Sequence, residues 1–256
     1  MAQNAQTSAG EMPEAVDEAE AVHLKMFSGH DKGRDRRLQN GQYLADVLFP
    51  LLKPGTVIDL GCGLGYFLKA MADYGAEVSP VDNAWVKDLN VEVALEKYRF
   101  HDLDTPYADT KRYDLATSFE VAEHLKPERS EAFVEELCAL SDVVAFSAAI
   151  PGQGGSGHIN LRWQSEWATL FEAQGYKCFD AIRSRMAERE DAFFWFRQNA
   201  YLFIKDGTPV PEGVAGTQIA PQAANVISRN FYNRRMKGAQ RQIAKLRAEL
   251  AKYETR

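Results

Sequence analysis

Two kinds of hydrophobic pattern alternate along residues 36–204. Short continuous apolar runs are typical of buried strands, and apolar residues three or four positions apart are typical of amphipathic helices. Strands that alternate with helices indicate a parallel sheet covered by helices, and two successive strands at the end indicate an antiparallel edge. The predicted strands are 56–60, 77–82, 113–119, 142–150, 176–186 and 192–204, and the predicted helices are 36–52, 66–75, 127–140 and 165–175.

The two ends of the chain have different patterns. Residues 1–20 contain almost no large apolar side chain and are predicted to be a disordered tail. A Pro/Gly/Thr-rich stretch, 206–225, is predicted to link a domain of residues 21–205 to a C-terminal helix over 226–256. That helix has an a/d stripe, typical of a short coiled coil that pairs two chains, and equally of a solvated helix folded back on the domain. The stripe consists of Met236, Ala239, Ile243, Leu246, Leu250 and Tyr253.

Composition narrows the class of protein. The 256 residues are 45% hydrophobic, enough for a normal core. A net charge of −6 argues against a large footprint on a nucleic-acid backbone, although residues 30–37 are locally basic. Three widely spaced cysteines indicate free thiols in a reducing compartment. With no signal-peptide pattern and no apolar run long enough to span a bilayer, a cytoplasmic protein is predicted.

The stretch VIDLGCGLGYF, residues 57–67, runs from a predicted strand into a glycine-rich turn. Dinucleotide-binding turns have the spacing G-x-G-x-x-G, whereas Gly61, Gly63 and Gly65 are separated by single residues. The carboxylate of Asp59 at the mouth of the turn would repel a pyrophosphate and attract an ammonium group. S-adenosylmethionine has an amino-acid head, a sulfonium and no phosphate, and glycines let it approach the backbone closely. The turn therefore favours S-adenosylmethionine.

Further acidic residues follow in the same order as the strands. Asp82 ends the second predicted strand, where an open α/β sheet binds its ligand, and a carboxylate there can accept both hydroxyls of a ribose. Asp102 can accept the exocyclic amine of adenine, with Leu103 beside the ring. Each residue alone is often only a cap or a turn residue. Together they predict a nucleoside-bearing cofactor.

Four stretches carry a resemblance to a known family: VIDLGCGLGYF, VDNAWV (81–86), HDLD (101–104) and YDLATSFEVAEHL (113–125). Over about residues 35–205 the sequence resembles the class I, Rossmann-like S-adenosylmethionine-dependent methyltransferases. The resemblance implies an α/β fold with a doubly wound, mostly parallel seven-stranded sheet that has one antiparallel edge strand, followed by the C-terminal helix. It implies S-adenosylmethionine as cofactor. The cofactor-binding residues that it implies are Asp59, Gly61, Cys62, Gly63, Gly65, Asp82, Asn83, Asp102 and Leu103.

Two stretches are predicted to face the reacting methyl group: FEVAEHL (119–125) and the glycine-rich loop IPGQGGSGHINLRW (150–163). Transfer to a hydroxyl needs a positioned acceptor oxygen and removal of its proton, and a neutral imidazole suits the role of base. His158 is the first candidate for the catalytic base and His124 the second. The resemblance places Glu120 near the methyl group. A purely structural hydrogen bond is the alternative role of each histidine.

Glu120, Glu123 and His124 form the pattern E-x-x-E-H. On a helical turn these positions share one face, and His158 from the neighbouring loop would complete a set of two carboxylates and two imidazoles. Such a set suits Mg²⁺ or Mn²⁺, which would acidify an acceptor hydroxyl. The pattern is similar to that of metal-dependent small-RNA 2′-O-methyltransferases and of quinone-pathway O-methyltransferases. It also occurs in relatives for which no metal is claimed, so base-assisted and metal-assisted chemistry both stay open.

Three functions are compatible with the sequence. The leading hypothesis is an O-methyltransferase acting on a small molecule or a carbohydrate, because the segment GGSGHIN (154–160) resembles bacterial methyltransferases of surface-glycan and secondary-metabolite pathways. An RNA 2′-O-methyltransferase is disfavoured by the net charge, and a non-catalytic scaffold protein by the intact glycine turn. The sequence does not distinguish an oxygen from a nitrogen as the methyl-accepting atom. Trp195 and Arg197 are candidates to line the acceptor pocket.

Overall fold

Eight strands form one sheet in the computed structural model, which describes residues 33–254. The predicted disordered tail, 1–20, lies outside these residues. The strands are β1 (Thr56–Leu60), β2 (Glu77–Asp82), β3 (Arg99–Phe100), β4 (Leu115–Phe119), β5 (Val143–Ser147), β6 (Tyr176–Phe179), β7 (Tyr201–Lys205) and β8 (Gln218–Ile219). The helices are α1 (Arg34–Leu52), α2 (Tyr66–Asp73), α3 (Ser130–Leu140), α4 (Gln164–Ala173), α5 (Arg183–Ala187), α6 (Phe196–Asn199), α7 (Glu212–Ala215) and α8 (Arg229–Glu254).

The strand order, β3-β2-β1-β4-β5-β7-β6-β8, places a switch point beside β1. β1 pairs in parallel with β2 on one side and with β4 on the other, so that Asp59 lies opposite both Pro80 and Thr117. β2 is continuous through Pro80, which therefore does not interrupt the strand. In open α/β sheets a ligand binds outside the carboxyl ends of the strands at such a point. The ends of β1, β2 and β4 meet there.

The mostly parallel sheet and its antiparallel edge are confirmed, but the count of seven strands is wrong by one. The additional strand, β8, pairs antiparallel with β6 and forms the edge of the sheet. β7 is also antiparallel to its neighbours, yet it lies inside the sheet between β5 and β6. β8 belongs to the stretch predicted as a linker, 206–225, in which Val214 and Ala224 are fully buried. This stretch therefore packs on the domain.

Two predicted strands, 176–186 and 192–204, are only partly extended. The first ends at Phe179 and continues into helix α5, where Arg183 pairs with Asp180 at 2.5 Å. In the second, Phe193 lies in a turn before α6, and β7 begins only at Tyr201. An apolar run does not by itself distinguish a strand from a short buried helix, which explains both errors.

The hydrophobic core lies on both faces of the sheet. On one face α1 and α2 bury Leu48 and Leu68 completely. On the other face, Phe133 of α3 and Phe171 of α4 are fully buried, and Phe171 stacks on Phe203 of β7 with ring centroids 3.9 Å apart. Truncation of a buried phenylalanine to alanine typically costs about 3–5 kcal/mol. This packing fixes the strand ends that surround the candidate site.

Helix α8 extends away from the domain after its first turns. Phe231 near its start is buried, whereas Met236, Ile243, Leu246 and Leu250 are 42–58% exposed. The a/d stripe therefore faces solvent in the single chain, and self-association along it stays a prediction. Within residues 33–254, no helix combines the length and the apolar character needed to cross a membrane.

Candidate active site

The glycine turn between β1 and α2 has a backbone that glycine adopts readily. Gly61, Gly63 and Gly65 have φ angles of 81°, 55° and 79°. A Cβ atom on Gly61 would lie 2.5 Å from Cγ2 of Val121. The amide of Gly61 donates to the carbonyl of Val81 in β2 at 2.9 Å. The turn is therefore held closely between the end of β2 and the segment that follows β4.

Asp59 is buried at the end of β1, beside the glycine turn. Its carboxylate accepts a hydrogen bond of 2.8 Å from the hydroxyl of Thr117. Burial raises the pKa of Asp59 to about 7, and the charge of Asp82 adds to the rise while the bond from Thr117 opposes it. A cation beside this carboxylate would favour its ionised form. The electrostatics therefore suit a ligand with an ammonium group.

Asp82 at the end of β2 holds the glycine turn in place. One carboxylate oxygen accepts the amide of Gly63 at 2.6 Å, and the other accepts the amide of Asn83 at 2.7 Å. The hydroxyl of Tyr98 donates to the carbonyl of Gly63 at 3.2 Å. Each carboxylate oxygen can accept more than one hydrogen bond, so acceptor positions remain for ligand hydroxyls.

Two adjoining cavities open at this end of the sheet, of about 340 and 140 Å³. Eight of the nine predicted cofactor-binding residues line them, and Gly65 instead precedes the first turn of α2. The larger cavity is lined by Asp59, Gly61, Cys62 and Gly63, and the smaller by Asp82, Asn83, Asp102 and Leu103. Gly61, Glu120 and His124 line both, so the two cavities meet at these residues.

Glu120, directly after β4, has a left-handed backbone with a φ of 56°. Its carboxylate accepts hydrogen bonds from the side-chain amides of Gln153 at 2.8 Å and Asn199 at 3.2 Å. Burial raises the pKa of Glu120, and these amide donors oppose the rise. The segment that follows is a turn, so the prediction that E-x-x-E-H lies on one helical face is wrong.

Glu123, His124 and His158 come together at the larger cavity. One ligand atom from each lies within 4.8 Å of the others. The carboxylate of Glu123 is 4.0 Å from Nε2 of His158, and the two imidazole rings are 4.8 Å apart. Oε2 of Glu123 and Nδ1 of His158 are buried without a hydrogen-bond partner among the described residues. Glu120, the fourth predicted metal ligand, lies outside this group because Gln153 and Asn199 hold it.

The charge states of this group follow from burial. Burial, together with repulsion from Glu120, raises the pKa of Glu123 well above its usual value. Burial also lowers the pKa of His158. Burial therefore favours the uncharged forms of Glu123 and His158 unless a cation or a substrate proton changes them. A half-buried imidazole beside a cavity, with its neutral form favoured, is suited to accept a proton.

The glycine-rich loop after β5 is anchored at the end that carries His158. The amides of Ile159 and Asn160 both donate to the carbonyl of Glu123, at 2.9 and 3.0 Å. A Cβ atom on Gly155 would collide with the imidazole of His158, so any larger residue here would have to displace that ring. The loop thus places His158 against the turn that carries Glu123.

Comparison with known proteins identifies the domain. Residues 32–147 match a family model described as a methyltransferase domain. The chain therefore contains a methyltransferase domain over these residues. No curated protein matches the sequence.

Solved structures share the fold of this methyltransferase. DesVI of Streptomyces venezuelae has a TM-score of 0.56 at 12% identity, over 72% of this chain and 98% of that one. Magnesium protoporphyrin IX methyltransferase of Synechocystis PCC 6803, with bound S-adenosylmethionine, has a TM-score of 0.51 at 17% identity, over 76% and 100%. Phosphoethanolamine N-methyltransferase 1 of Haemonchus contortus has a TM-score of 0.51 at 17% identity, over 76% and 51%. Since one of these is an N-methyltransferase, the fold does not decide the acceptor atom.

Several residues of the methyltransferase site escape sequence reasoning. α1 contributes Arg37, Asn40 and Gly41 to the larger cavity, although its pattern indicated only an amphipathic helix. A glycine inside the predicted helix, Gly41, was the sequence feature that could have indicated a close contact of α1. A Cβ atom at this position would lie 2.6 Å from the carbonyl oxygen of Tyr66. Trp195 lines the cavity as predicted.

The segment before α6 and the first residue of that helix add two further aromatic walls to the larger cavity. They are Phe193 and Phe196, both assigned from the sequence to a continuous strand. Arg197, predicted with Trp195, does not line this cavity in the described part of the chain.

Proposed function

We propose that this methyltransferase transfers a methyl group to a hydroxyl of a small molecule or carbohydrate, with His158 as the base. The observation that carries the proposal is the half-buried imidazole of His158 on the wall of the larger cavity, next to the residues at which both cavities meet. Burial lowers the pKa of His158, so the ring is neutral and able to take a proton near pH 7.

The proposed reaction needs little from the protein beyond positioning and one proton transfer. The cofactor supplies an activated methyl group on a positively charged sulfur. The acceptor oxygen bonds to that carbon as the carbon–sulfur bond breaks, and the hydroxyl proton passes to His158. His158 then returns the proton to solvent. Asp59 would hold the amino-acid end of the cofactor and Asp82 its ribose, which keeps the two reacting atoms in line.

The larger cavity supports a small acceptor. Its volume of about 340 Å³ would have to hold the amino-acid end of the cofactor at Asp59 as well, so only part of the space is left for the acceptor. Phe119, Phe193, Trp195 and Phe196 supply aromatic walls, against which a planar ring or the apolar face of a sugar packs well. A single ring or a terminal sugar residue suits such a space.

Calorimetry with S-adenosylmethionine, with NADH as the control ligand, tests the cofactor half of the proposal. We expect micromolar binding of S-adenosylmethionine and none of NADH. Absence of S-adenosylmethionine binding would refute the proposal for this chain.

Turnover of His158→Gln and His124→Gln tests the acceptor half. Release of S-adenosylhomocysteine would be followed with phenols, catechols, hexoses and, as the competing class, primary amines. We expect His158→Gln to lower kcat by about 10²–10⁴-fold, with an unchanged Kd for S-adenosylmethionine. His124→Gln tests the second candidate base in the same assay. Nδ1 of His124 lies 3.2 Å from the carbonyl oxygen of Gly157. Unchanged turnover of His158→Gln, or methylation of amines alone, would overturn the assignment.

Metal-assisted transfer is a second candidate, favoured by the unpartnered buried atoms of Glu123 and His158. Mn²⁺ or Mg²⁺ at Glu123, His124 and His158 would lower the pKa of an acceptor hydroxyl. Titration with Mn²⁺ followed by calorimetry tests this. A separate isotherm that disappears in His158→Ala but persists in Glu120→Gln would support the three-residue site. The matched Glu120 variant is informative because its carboxylate is bound by Gln153 and Asn199 instead.

A further inference from the structure

A third cavity, of about 580 Å³, lies beside the larger cavity of the active site. Its walls come from the first half of α8, the glycine-rich loop after β5 and the turn before α6. Gly154 and Trp195 line both this cavity and the larger one. A molecule bound here therefore lies next to the proposed acceptor site.

Two arginines of α8, Arg234 and Arg235, give this cavity its charge. Among the described residues, no aspartate or glutamate lines this cavity, and no acidic side chain forms an ion pair with Arg234 or Arg235. α8 has seven basic residues and no acidic residue from Arg229 to Arg247, although the whole chain carries a net charge of −6. Positive charge is thus concentrated at this cavity in an otherwise acidic protein.

The surrounding contacts orient both guanidinium groups. Arg234 lies over the ring of Phe194 at 5.6 Å. Nε of Arg235 would be 3.6 Å from a Cβ atom on Gly152, which has a φ of 84°, so the guanidinium packs against the glycine-rich loop. The next residue of that loop, Gln153, donates to Glu120 in the active site.

We propose that this cavity binds a phosphate group of the methyl acceptor, so that the substrate is a phosphate ester whose hydroxyl-bearing part reaches past Trp195 into the larger cavity. The proposal rests on the proposed function for the site of the acceptor. Paired guanidinium groups bind phosphate oxygens through planar, charge-assisted hydrogen bonds. Phe194, Trp195 and Phe231 supply apolar walls for the part of the ester next to the phosphate.

Calorimetric titration with inorganic phosphate and with pyrophosphate at low ionic strength tests the proposal directly. We expect saturable binding that weakens by about tenfold or more in Arg234→Gln and in Arg235→Gln. Stronger binding of pyrophosphate would indicate a diphosphate ester, and equal binding a monophosphate ester.

Arg247→Gln is the matched control, because it removes the same charge from the same helix outside the cavity. Gly238→Leu is a second variant, which keeps both arginines but adds a bulky apolar side chain to the wall of the cavity beside them. A Cβ atom on Gly238 would meet no atom within 4 Å, so this substitution is compatible with folding. We expect Arg247→Gln to bind phosphate normally and Gly238→Leu to lose binding.

Equal weakening by Arg247→Gln and Arg235→Gln would show that only the diffuse charge of α8 attracts anions, and would overturn the proposal. Unchanged binding in Gly238→Leu would overturn it as well. S-adenosylmethionine binding, measured on the same samples, keeps the two proposals apart. If the wild-type protein binds the cofactor but neither phosphate nor pyrophosphate, this inference alone is refuted, whereas absent cofactor binding refutes the proposed function.

Discussion

The affinity for S-adenosylmethionine should depend on pH through Asp59. The ionised carboxylate of Asp59 is the form that attracts an ammonium group, and burial raises its pKa to about 7 in the free protein. A bound ammonium group would lower that pKa again. Affinity is therefore highest above this pKa and is lost as the pH falls through it, whereas an exposed aspartate would keep its charge and its affinity down to about pH 4.

The size of the effect follows from the ionised fraction. From about pH 7 to about pH 5.5, this fraction falls from about one half to about three hundredths for a pKa near 7. The Kd should then rise roughly 15-fold, or about 1.6 kcal/mol. The pH range of the measurement stays at or below about pH 7, because the α-amino group of S-adenosylmethionine itself loses a proton near pH 8. Calorimetry at each pH measures the change.

Three variants show whether Asp59 is responsible. Asp59→Asn should bind weakly and without this pH dependence. Thr117→Val removes the hydroxyl that donates to Asp59 at 2.8 Å, so the pKa of Asp59 should rise further and the affinity at pH 7 should fall about fivefold, the worth of one hydrogen bond of about 1 kcal/mol. Ser118→Ala is the matched control, because its hydroxyl donates to the backbone of Leu60 instead. A Kd that is independent of pH in the wild type, or equally dependent in Asp59→Asn, would refute the role of Asp59.

Two further predictions concern the glycine turn. Asp82→Ala should raise the Kd for S-adenosylmethionine at least tenfold, as measured by calorimetry. It should also lower Tm in thermal unfolding, because the carboxylate accepts the amides of Gly63 and Asn83. An unchanged Kd would contradict the binding of the ribose by Asp82. Gly61→Ala should destabilise the protein by about 1–3 kcal/mol in urea, because its Cβ would lie 2.5 Å from Val121 at a positive φ. Val121→Ala in the same chain should restore part of that loss, and no restoration would show that backbone strain alone is responsible.

The cofactor side of the site was predictable because it depends on local sequence. Asp59 and Asp82 lie in the last two residues of strands that the hydrophobic pattern identifies, and Gly61 directly follows the first of these strands. Parallel strands bring their carboxyl ends to the same edge, so residues that are distant in sequence become neighbours without any further assumption. Eight of nine residues accordingly line the two cavities.

The acceptor side was less predictable because it depends on contacts between loops. The left-handed backbone of Glu120 turns its carboxylate towards Gln153 and Asn199, and no local pattern indicates that conformation for a glutamate. The four-residue metal set was inferred from helical spacing and contained Glu120 for that reason. The aromatic run around Phe193 was assigned to a strand because it is continuously apolar. Its side chains line a cavity and do not pack on a face of the sheet.

The backbone of Glu120 itself points to a functional constraint. A left-handed conformation in a residue other than glycine is unfavourable, and it persists only where the surroundings hold it. Here the amide of Glu120 donates to Ser147 at 2.9 Å, and Asn199 donates both to Glu120 and to Gln153. This network joins the turn after β4, the loop after β5 and helix α6, and it includes no atom of the glycine turn. Changes in the network should therefore alter turnover while leaving cofactor binding intact, because the two halves of the site are held by separate sets of hydrogen bonds.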